Sequence, residues 1–353
     1  MNNDPSQRIT KVRVRDITVG GDKLAVAAGP CVLESYDGAY AIAEEMKKLC
    51  LEFGFGYIFK ASFDKANRTS IASYRGPGID EGLLWLKDIG SRLDIPVVTD
   101  MHEPWQAEKL AEAVDLIQIP AFLCRQTDLL VAASKTGKPL NIKKAQFMAP
   151  EDMRSVVNKC REAGNEEIIL CERGTAFGYH ELSVDFRSFP VMRGLGFPVM
   201  FDATHSVQKP GGQGDRSGGD RSFVLPLIRA AVAVGIDALF MEVHPDPDSA
   251  KCDGPNMVPL RSMREVLRQT SEIDRIVKEN EREENKFSDE EMLKAGRNIL
   301  QKEAEALVSA ASRVSNELVS AAHLLSRCKG RVVVSGLGKS GHVGRKTAAT
   351  FAS

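Results

Sequence analysis

Residues 95–144 read IPVVTDMHEPWQAEKLAEAVDLIQIPAFLCRQTDLLVAASKTGKPLNIKK. Three short runs rich in Val and Ile stand in this stretch: IPVVTD (95–100), DLIQIP (115–120) and PLNIKK (139–144). Longer segments of helical period, such as TDLLVAASKTG, separate them. Short apolar runs between turn signals read as buried strands, and the helical segments read as the crossovers of a parallel sheet.

The same unit recurs on both sides. LAVAAG (24–29) and YIFKA (57–61) precede it; EIILCE (167–172), PVMFDA (198–203) and ALFMEV (238–243) follow. AYAIAEEMKKLC, PEDMRSVVNKCREAG and FVLPLIRAAVAVG supply further helical segments. Eight strands alternating with helices over about 270 residues predict an α/β fold of the (β/α)8 barrel type. An open doubly wound sheet is the rival, but it rarely needs eight such units, and no G-x-G-x-x-G follows the first strand. Residues 1–9 are polar and read as a frayed end. Residues 11–19 (KVRVRDITV) alternate, then Gly20-Gly21-Asp22 turns the chain, which together read as a β-hairpin leading into the first buried strand.

The remainder of the 353 residues has a different character. EREENKFSDEE, from residue 281, is a charge run that reads as a solvated helix end or linker. Helical period returns over residues 288–327, and RVVVSGLGKSGHVG then reads as a buried strand entering a glycine loop. The expected division is 1–281 for the barrel and 282–353 for a linker, helices and the front of a second α/β domain.

Composition removes several classes. Forty-seven basic and 48 acidic side chains give a net charge of −1, which argues against a bulk nucleic-acid binder. No apolar run approaches the roughly 18 residues of a membrane span, and the N-terminus has no apolar core of a secretory signal. Seven cysteines without a C-x-x-C pair suggest reduced thiols in a cytoplasmic protein.

In such a barrel the chemistry lies at the C-terminal strand ends. There the sequence puts Cys31, Lys60, Lys65, Asn67, Arg68, Thr69, Asp100, Gln118, Arg125, Lys143, Arg173, Asp202, His205, Glu242 and Asp253. Six are cations: Lys60, Lys65, Arg68, Arg125, Lys143 and Arg173. Asp64, Asp100, Glu172 and Asp202 are available to pair with some of them. The surplus implies a strongly anionic ligand, most simply phosphorylated metabolites. Cys31, His205, Glu242 and Asp253 offer a thiolate, an imidazole and two carboxylates, a mixed set suited to Mn, Fe, Zn or Co. Their spacing is too long for a local metal motif, so only the barrel brings them together. GGQGDRSGG (211–219) reads as a mobile lid over the mouth.

AGPCVLES, FKASFDKANRTS, YRGPG, TDMHEP, IQIPAFLCRQTDLL, NIKKAQF, ERGTAFGYHELSVDFRS, FDATHSVQ and MEVHPDPDSAKCDGP closely resemble the 3-deoxy-D-manno-octulosonate-8-phosphate (KDO8P) synthases, over about residues 10 to 280. The KANR tetrad separates that family from the 3-deoxy-D-arabino-heptulosonate-7-phosphate (DAHP) synthases, which carry a KPRT-type motif there. The resemblance implies a homotetrameric barrel that condenses phosphoenolpyruvate (PEP) with D-arabinose 5-phosphate on the route to lipopolysaccharide. Metal-independent members have Asn where this chain has Cys31, so it implies a metal-dependent enzyme with Cys31, His205, Glu242 and Asp253 as ligands. It puts Lys60, Lys143 and Arg173 on PEP with Gln118 nearby, and Lys65 between the substrates. Asn67, Arg68 and Thr69 fall on the sugar phosphate, and Arg125 on the sugar phosphate of a neighbouring subunit. Lys65, Asp100, His205 and Asp253 fall at the reacting centre. Thr69, where Ser is common, and Asp220 depart slightly from the pattern. Two roles stay open for the metal: polarising the aldehyde, or orienting and activating water.

RVVVSGLGKSGHVGRKTAATFAS resembles the start of a sugar isomerase (SIS) domain, as in arabinose-5-phosphate isomerase. Lys339, Ser340 and Gly341 match its sugar-phosphate loop. It is not a Walker A loop, which needs glycine at Val333. The remaining acid–base residues of an isomerase are absent from the chain, so no isomerase activity is expected. A DAHP or sialic-acid synthase with another aldose, and a non-catalytic sugar-phosphate sensor, are the competing classes.

Overall fold

A computed structural model describes residues 9–68, 70–176, 180–210, 218–284, 289–336 and 338–352. The chain divides into two compact units, Met1–Glu283 and Glu284–Ser353.

The first unit is a closed parallel barrel. Its strands are β1 (Ala25–Gly29), β2 (Gly56–Lys60), β3 (Val97–Asp100), β4 (Leu116–Ile119), β5 (Leu140–Lys143), β6 (Ile168–Glu172), β7 (Val199–Asp202) and β8 (Ala238–His244). Each pairs in parallel with its sequence neighbours, and β8 pairs with both β7 and β1, which closes the ring. The helices that follow are α1 (Tyr36–Phe53), α2 (Ile79–Arg92), α3 (Ala107–Ala113), α4 (Thr127–Lys135), α5 (Met153–Glu162), α6 (Ser188–Arg193), α7 (Val224–Val234) and α8 (Met263–Glu284). This is the (β/α)8 barrel expected from the sequence. Capping is explicit in α1: Ser35 accepts a hydrogen bond from the Gly38 N–H, and Gly54 ends the helix in the left-handed region at φ 78°.

Strand periodicity sorts the core into two shells. Val26, Phe59, Val97, Ile117, Ile142, Leu170, Phe201 and Leu239 point outward and pack with the helices. Ala27, Ile58, Val98, Leu116, Ile169, Met200 and Phe240 point inward. The same inner cluster takes in Val12, Val14 and Val19 from the N-terminal hairpin. Its strands pair Val12–Val14 with Ile17–Val19, and the reversal falls at Arg15-Asp16, with Arg15 at φ 54°. The Gly20-Gly21-Asp22 turn instead joins the hairpin to β1. The apolar hairpin shares the inner cluster at the strand starts, and the inward positions nearer the strand ends are polar.

The second unit contains α9 (Asp289–Ser312), α10 (Asn316–Ser326) and α11 (Gly338–Ala352). The expected buried strand at 331–336 is not formed. Val332, Val333 and Val334 are exposed, and no strand is present among the described residues of this unit to complete a ladder. Part of the charge run from residue 281 lies in α8 rather than in a linker, while residues 285–288 lie outside the described residues. The frayed end expected for 1–9 falls outside them too, apart from Ile9. Among the described residues no helix is long and apolar enough to cross a membrane.

Gly29 is fixed by close approach of β1 and β2. A Cβ there would meet the Lys60 carbonyl oxygen at 2.1 Å. Backbone atoms cannot swing aside as a flexible side chain does. Gly29→Ala should therefore destabilise the barrel by about 1–3 kcal/mol, measured as a lower urea midpoint with unchanged m-value.

Candidate active site

The strand ends carry a second, charged layer above the inner apolar one. Lys60, Asp100, Lys143 and Asp202 are each the last residue of their strand. Gln118 on β4 and Glu242 on β8 face the same interior, and all six are buried. Each lies two residues beyond an inward residue, apolar in every case but Asn141 before Lys143, so the strand period alone aims it into the mouth.

Charges here are matched in pairs. Lys60 Nζ lies 3.3 Å from Glu242 Oε1 and 3.7 Å from Asp100 Oδ2. Lys65 Nζ reaches the same Glu242 oxygen at 3.3 Å. Lys143 Nζ sits 2.5 Å from Asp202 Oδ2. Asp100 also accepts from Ser62 Oγ and from Gln118 Nε2, the latter at 2.6 Å, and Asn141 Nδ2 donates to Gln118 Oε1 at 2.8 Å. Of the carboxylates expected to offset the cations, Asp100 and Asp202 do so. Asp64 instead pairs with Arg75, and Glu172 with Lys144 at 3.4 Å. Glu242 takes their place and serves two lysines.

Burial alone would raise the carboxyl of Glu242. Lys65, His205, Lys60 and Lys143 outweigh it and hold the group well below the usual carboxylate range. The same contest depresses Asp100, where Lys60, Lys65, Lys143 and His102 prevail over burial. It depresses Asp202, where His205 and Lys143 prevail. Burial also pulls the Arg173 guanidinium below its ordinary value, against the opposing pull of Asp202 and Asp253.

The four residues expected to bind metal come together from three separate loops and β8. Cys31 follows β1, and His205 begins a short 3-10 turn after β7. Asp253 lies beyond β8 in the left-handed region at φ 48°. His205, Glu242 and Asp253 can direct one donor atom each into a common space, and Cys31 shares Asp253 with a second such group that includes Cys252. His205 Nε2 stands 3.6 Å from Glu242 Oε1 and 3.9 Å from Asp253 Oδ2; Cys31 Sγ stands 3.6 Å from Asp253 Oδ2. Glu242 Oε2 is buried without a partner, as expected of a carboxylate waiting for a cation. Burial, the adjacent Cys252 and Glu242 push the Cys31 thiol up, so an ion would displace its proton on binding.

Arg173 Nη1 and Arg68 Nε are among the buried donors that lack partners. Arg173 is held by Gln208 Oε1 at 3.0 Å through its other terminal nitrogen. Arg68 sits against Cys252 Sγ at 2.6 Å and the Lys251 carbonyl at 3.4 Å. Asn67 is exposed beside it, and Thr69 lies outside the described residues, as do 211–217 of the expected lid. The described remainder of that loop, Gly218–Gly219, pairs with Gln208–Lys209. Arg125 is exposed and its guanidinium forms no hydrogen bond or ion pair with a described residue, so it stands apart from the interior cluster.

Sequence reading missed Ser62, Asn141, Gln208 and Cys252. Asn141 was accessible, since it lies two residues before Lys143 on one strand. Cys252 carried no signal beyond its adjacency to Asp253.

The sequence matches the DAHP synthetase I family over residues 6–279. It is 54% identical to the 2-dehydro-3-deoxyphosphooctonate aldolase of Fusobacterium nucleatum over 271 residues, which cover 76% of this chain and 98% of that protein. The protein of the same name from Trichlorobacter lovleyi is 55% identical over 269 residues, covering 76% and 99%. That of a Synechococcus strain is 58% identical over 248 residues, covering 70% and 87%.

Asp100, Asp202 and Glu242 all titrate lower in the folded chain than in the unfolded one. The stability they contribute is complete above about pH 4 and is lost as pH falls through their depressed folded values. The urea midpoint should accordingly drop steeply below about pH 4. Lys143→Met removes the ammonium that faces the buried Asp202 carboxylate, and should cost about 3 kcal/mol at neutral pH. That cost should shrink in acid, where Asp202 becomes neutral.

Proposed function

The chain belongs to the DAHP synthetase I family, and from that premise we propose that its barrel is a KDO8P synthase. It condenses PEP with D-arabinose 5-phosphate and water, giving 3-deoxy-D-manno-octulosonate 8-phosphate and phosphate for lipopolysaccharide synthesis. One observation carries this reading: an anion-binding set (Lys60, Lys65, Lys143, Arg173) and a metal-ligand set (Cys31, His205, Glu242, Asp253) share one mouth. Relatives with 54% to 58% identity bear the corresponding name.

PEP is at most a trianion and the sugar phosphate a dianion, so their approach needs compensating cations. Lys60, Lys143 and Arg173 hold the PEP carboxylate and phosphate, with Gln118 alongside. The free Arg173 Nη1 supports this assignment. Arg68, with Asn67 and Thr69, holds the sugar phosphate, and its free Nε supports that role. C3 of PEP attacks the aldehyde carbon, whose oxygen gains the charge that Lys65 neutralises by proton donation. C2 becomes electrophilic, water adds there, and the hemiketal phosphate collapses with C–O cleavage. Asp100 orients Lys60 and Gln118 at this centre. Asp253 and His205 act as ligands to the ion. A bound divalent ion of the Mn, Fe, Zn or Co type supplies Lewis acidity beside the reacting atoms.

The protein acts in the cytoplasm as a homotetramer. Trp105, Phe122 and Phe147 are large exposed aromatics on the loops after β3, β4 and β5, at the same end of the barrel as the mouth. The exposed Arg125 on the loop after β4 is free to reach a neighbouring mouth. The C-terminal unit is SIS-like in sequence, a reading supported by the glycine-rich stretch SGLGKSGHVG (335–344).

Phosphate release from PEP and arabinose 5-phosphate should fall at least about 100-fold on removal of divalent metal and return on its restoration. Full activity of the stripped protein would defeat the metal reading. Cys31→Ala should lose metal affinity while the metal-free barrel unfolds as before. In a substrate panel, erythrose 4-phosphate should be turned over poorly. Preference for it over arabinose 5-phosphate would indicate a DAHP-type enzyme, and sugar-phosphate binding without phosphate release a sensor.

A further inference from the structure

Asp202 is fully buried at the end of β7, between two groups of different function. Its Oδ2 lies 2.5 Å from Lys143 Nζ and 2.8 Å from His205 Nδ1. Its Oδ1 accepts from the His205 backbone N–H at 2.9 Å and from Thr204 Oγ1 at 3.3 Å. The turn that follows is tied down by Ser206 Oγ donating to the Asp202 carbonyl at 2.6 Å. Phe240 packs against both partners: Lys143 Nζ stands 3.8 Å from its ring centre, and the His205 ring centre 5.8 Å from it. Thus one oxygen atom of one carboxylate serves both an ammonium and an imidazole.

We infer that Asp202 is a positioning residue that couples anion binding at Lys143 to metal binding at His205. The inference rests on the proposed assignment of those two residues. Asp202 Oδ2 faces the Nδ1 edge of His205 at ion-pair distance, without hydrogen-bond alignment, and leaves Nε2 directed at Glu242 and Asp253. Carboxylates in this relation to a ligating histidine orient the ring and raise its basicity. The new element is that Lys143 shares the same oxygen. When an anionic PEP group engages Lys143, the ammonium gives part of its charge to the ligand, and Asp202 is released toward His205. The imidazole then becomes a stronger donor. Linkage makes the effect reciprocal: an ion on His205 strengthens PEP binding by the same factor.

The test is a Co2+ titration of the whole protein against a chromophoric chelator, with and without PEP and with no sugar present, so that nothing turns over. In the wild type PEP should tighten Co2+ at least about fivefold, within the range of ordinary site-to-site coupling. Co2+ should tighten PEP equally. Asp202→Asn should weaken Co2+ about 10- to 100-fold. Its coupling factor should fall to less than about a third of the wild-type value; what persists is the direct attraction between PEP and the ion. Circular dichroism checks that the variant is folded. If it is not, the wild-type titration still decides, because Co2+ binding indifferent to PEP overturns the inference. So does an Asp202→Asn protein with wild-type Co2+ affinity and undiminished coupling. A wild type that takes up no Co2+ overturns the underlying site assignment together with the inference.

Discussion

Three lysines can lie inside the barrel mouth only because Asp100, Asp202 and Glu242 lie there with them. A lone buried ammonium would be neutralised or expelled, since the cost of desolvating it far exceeds what packing returns. In this mouth Glu242 meets Lys60 and Lys65, Asp100 meets Lys60, and Asp202 meets Lys143. The carboxylates are anchored in turn by Ser62, Gln118 and backbone N–H groups. The result is a preorganised ionic layer that needs little rearrangement when charged ligands arrive.

That layer depends on barrel closure. Strand period two sends alternate residues inward, but inward positions converge only because β8 pairs with both β1 and β7. Closure also forces β1 and β2 together at the mouth, so Gly29 stands opposite Glu242 and against the Lys60 carbonyl. The apolar hairpin valines share the inner core with the lower side chains, which confines polarity to the strand ends. Fold and site thus share one pattern: apolar inward residues low, charged inward residues high.

The C-terminal unit shows the opposite case, where local pattern was misleading. Val332, Val333 and Val334 have the composition of a buried strand, yet they are exposed. Strand propensity reflects packing on a pleated surface, and without a neighbouring strand it has nothing to act on. The helical period of 288–327 fared better, because helix hydrogen bonds are satisfied within the segment itself.

The sequence alone determined the eight strands, their order and the residues at their ends, because period two and helical period are written in consecutive residues. It also determined which side chains face inward, including Asn141, which went unread. Tertiary structure decided the partners. Glu242, not Asp64 or Glu172, balances Lys60 and Lys65. Asp202 serves Lys143 and His205 together, and Cys252 lies beside Cys31. These pairings join residues as far apart as Cys31 and Asp253. Distance along the chain carries no information about them, since contact between distant segments is fixed only when the ring of strands closes.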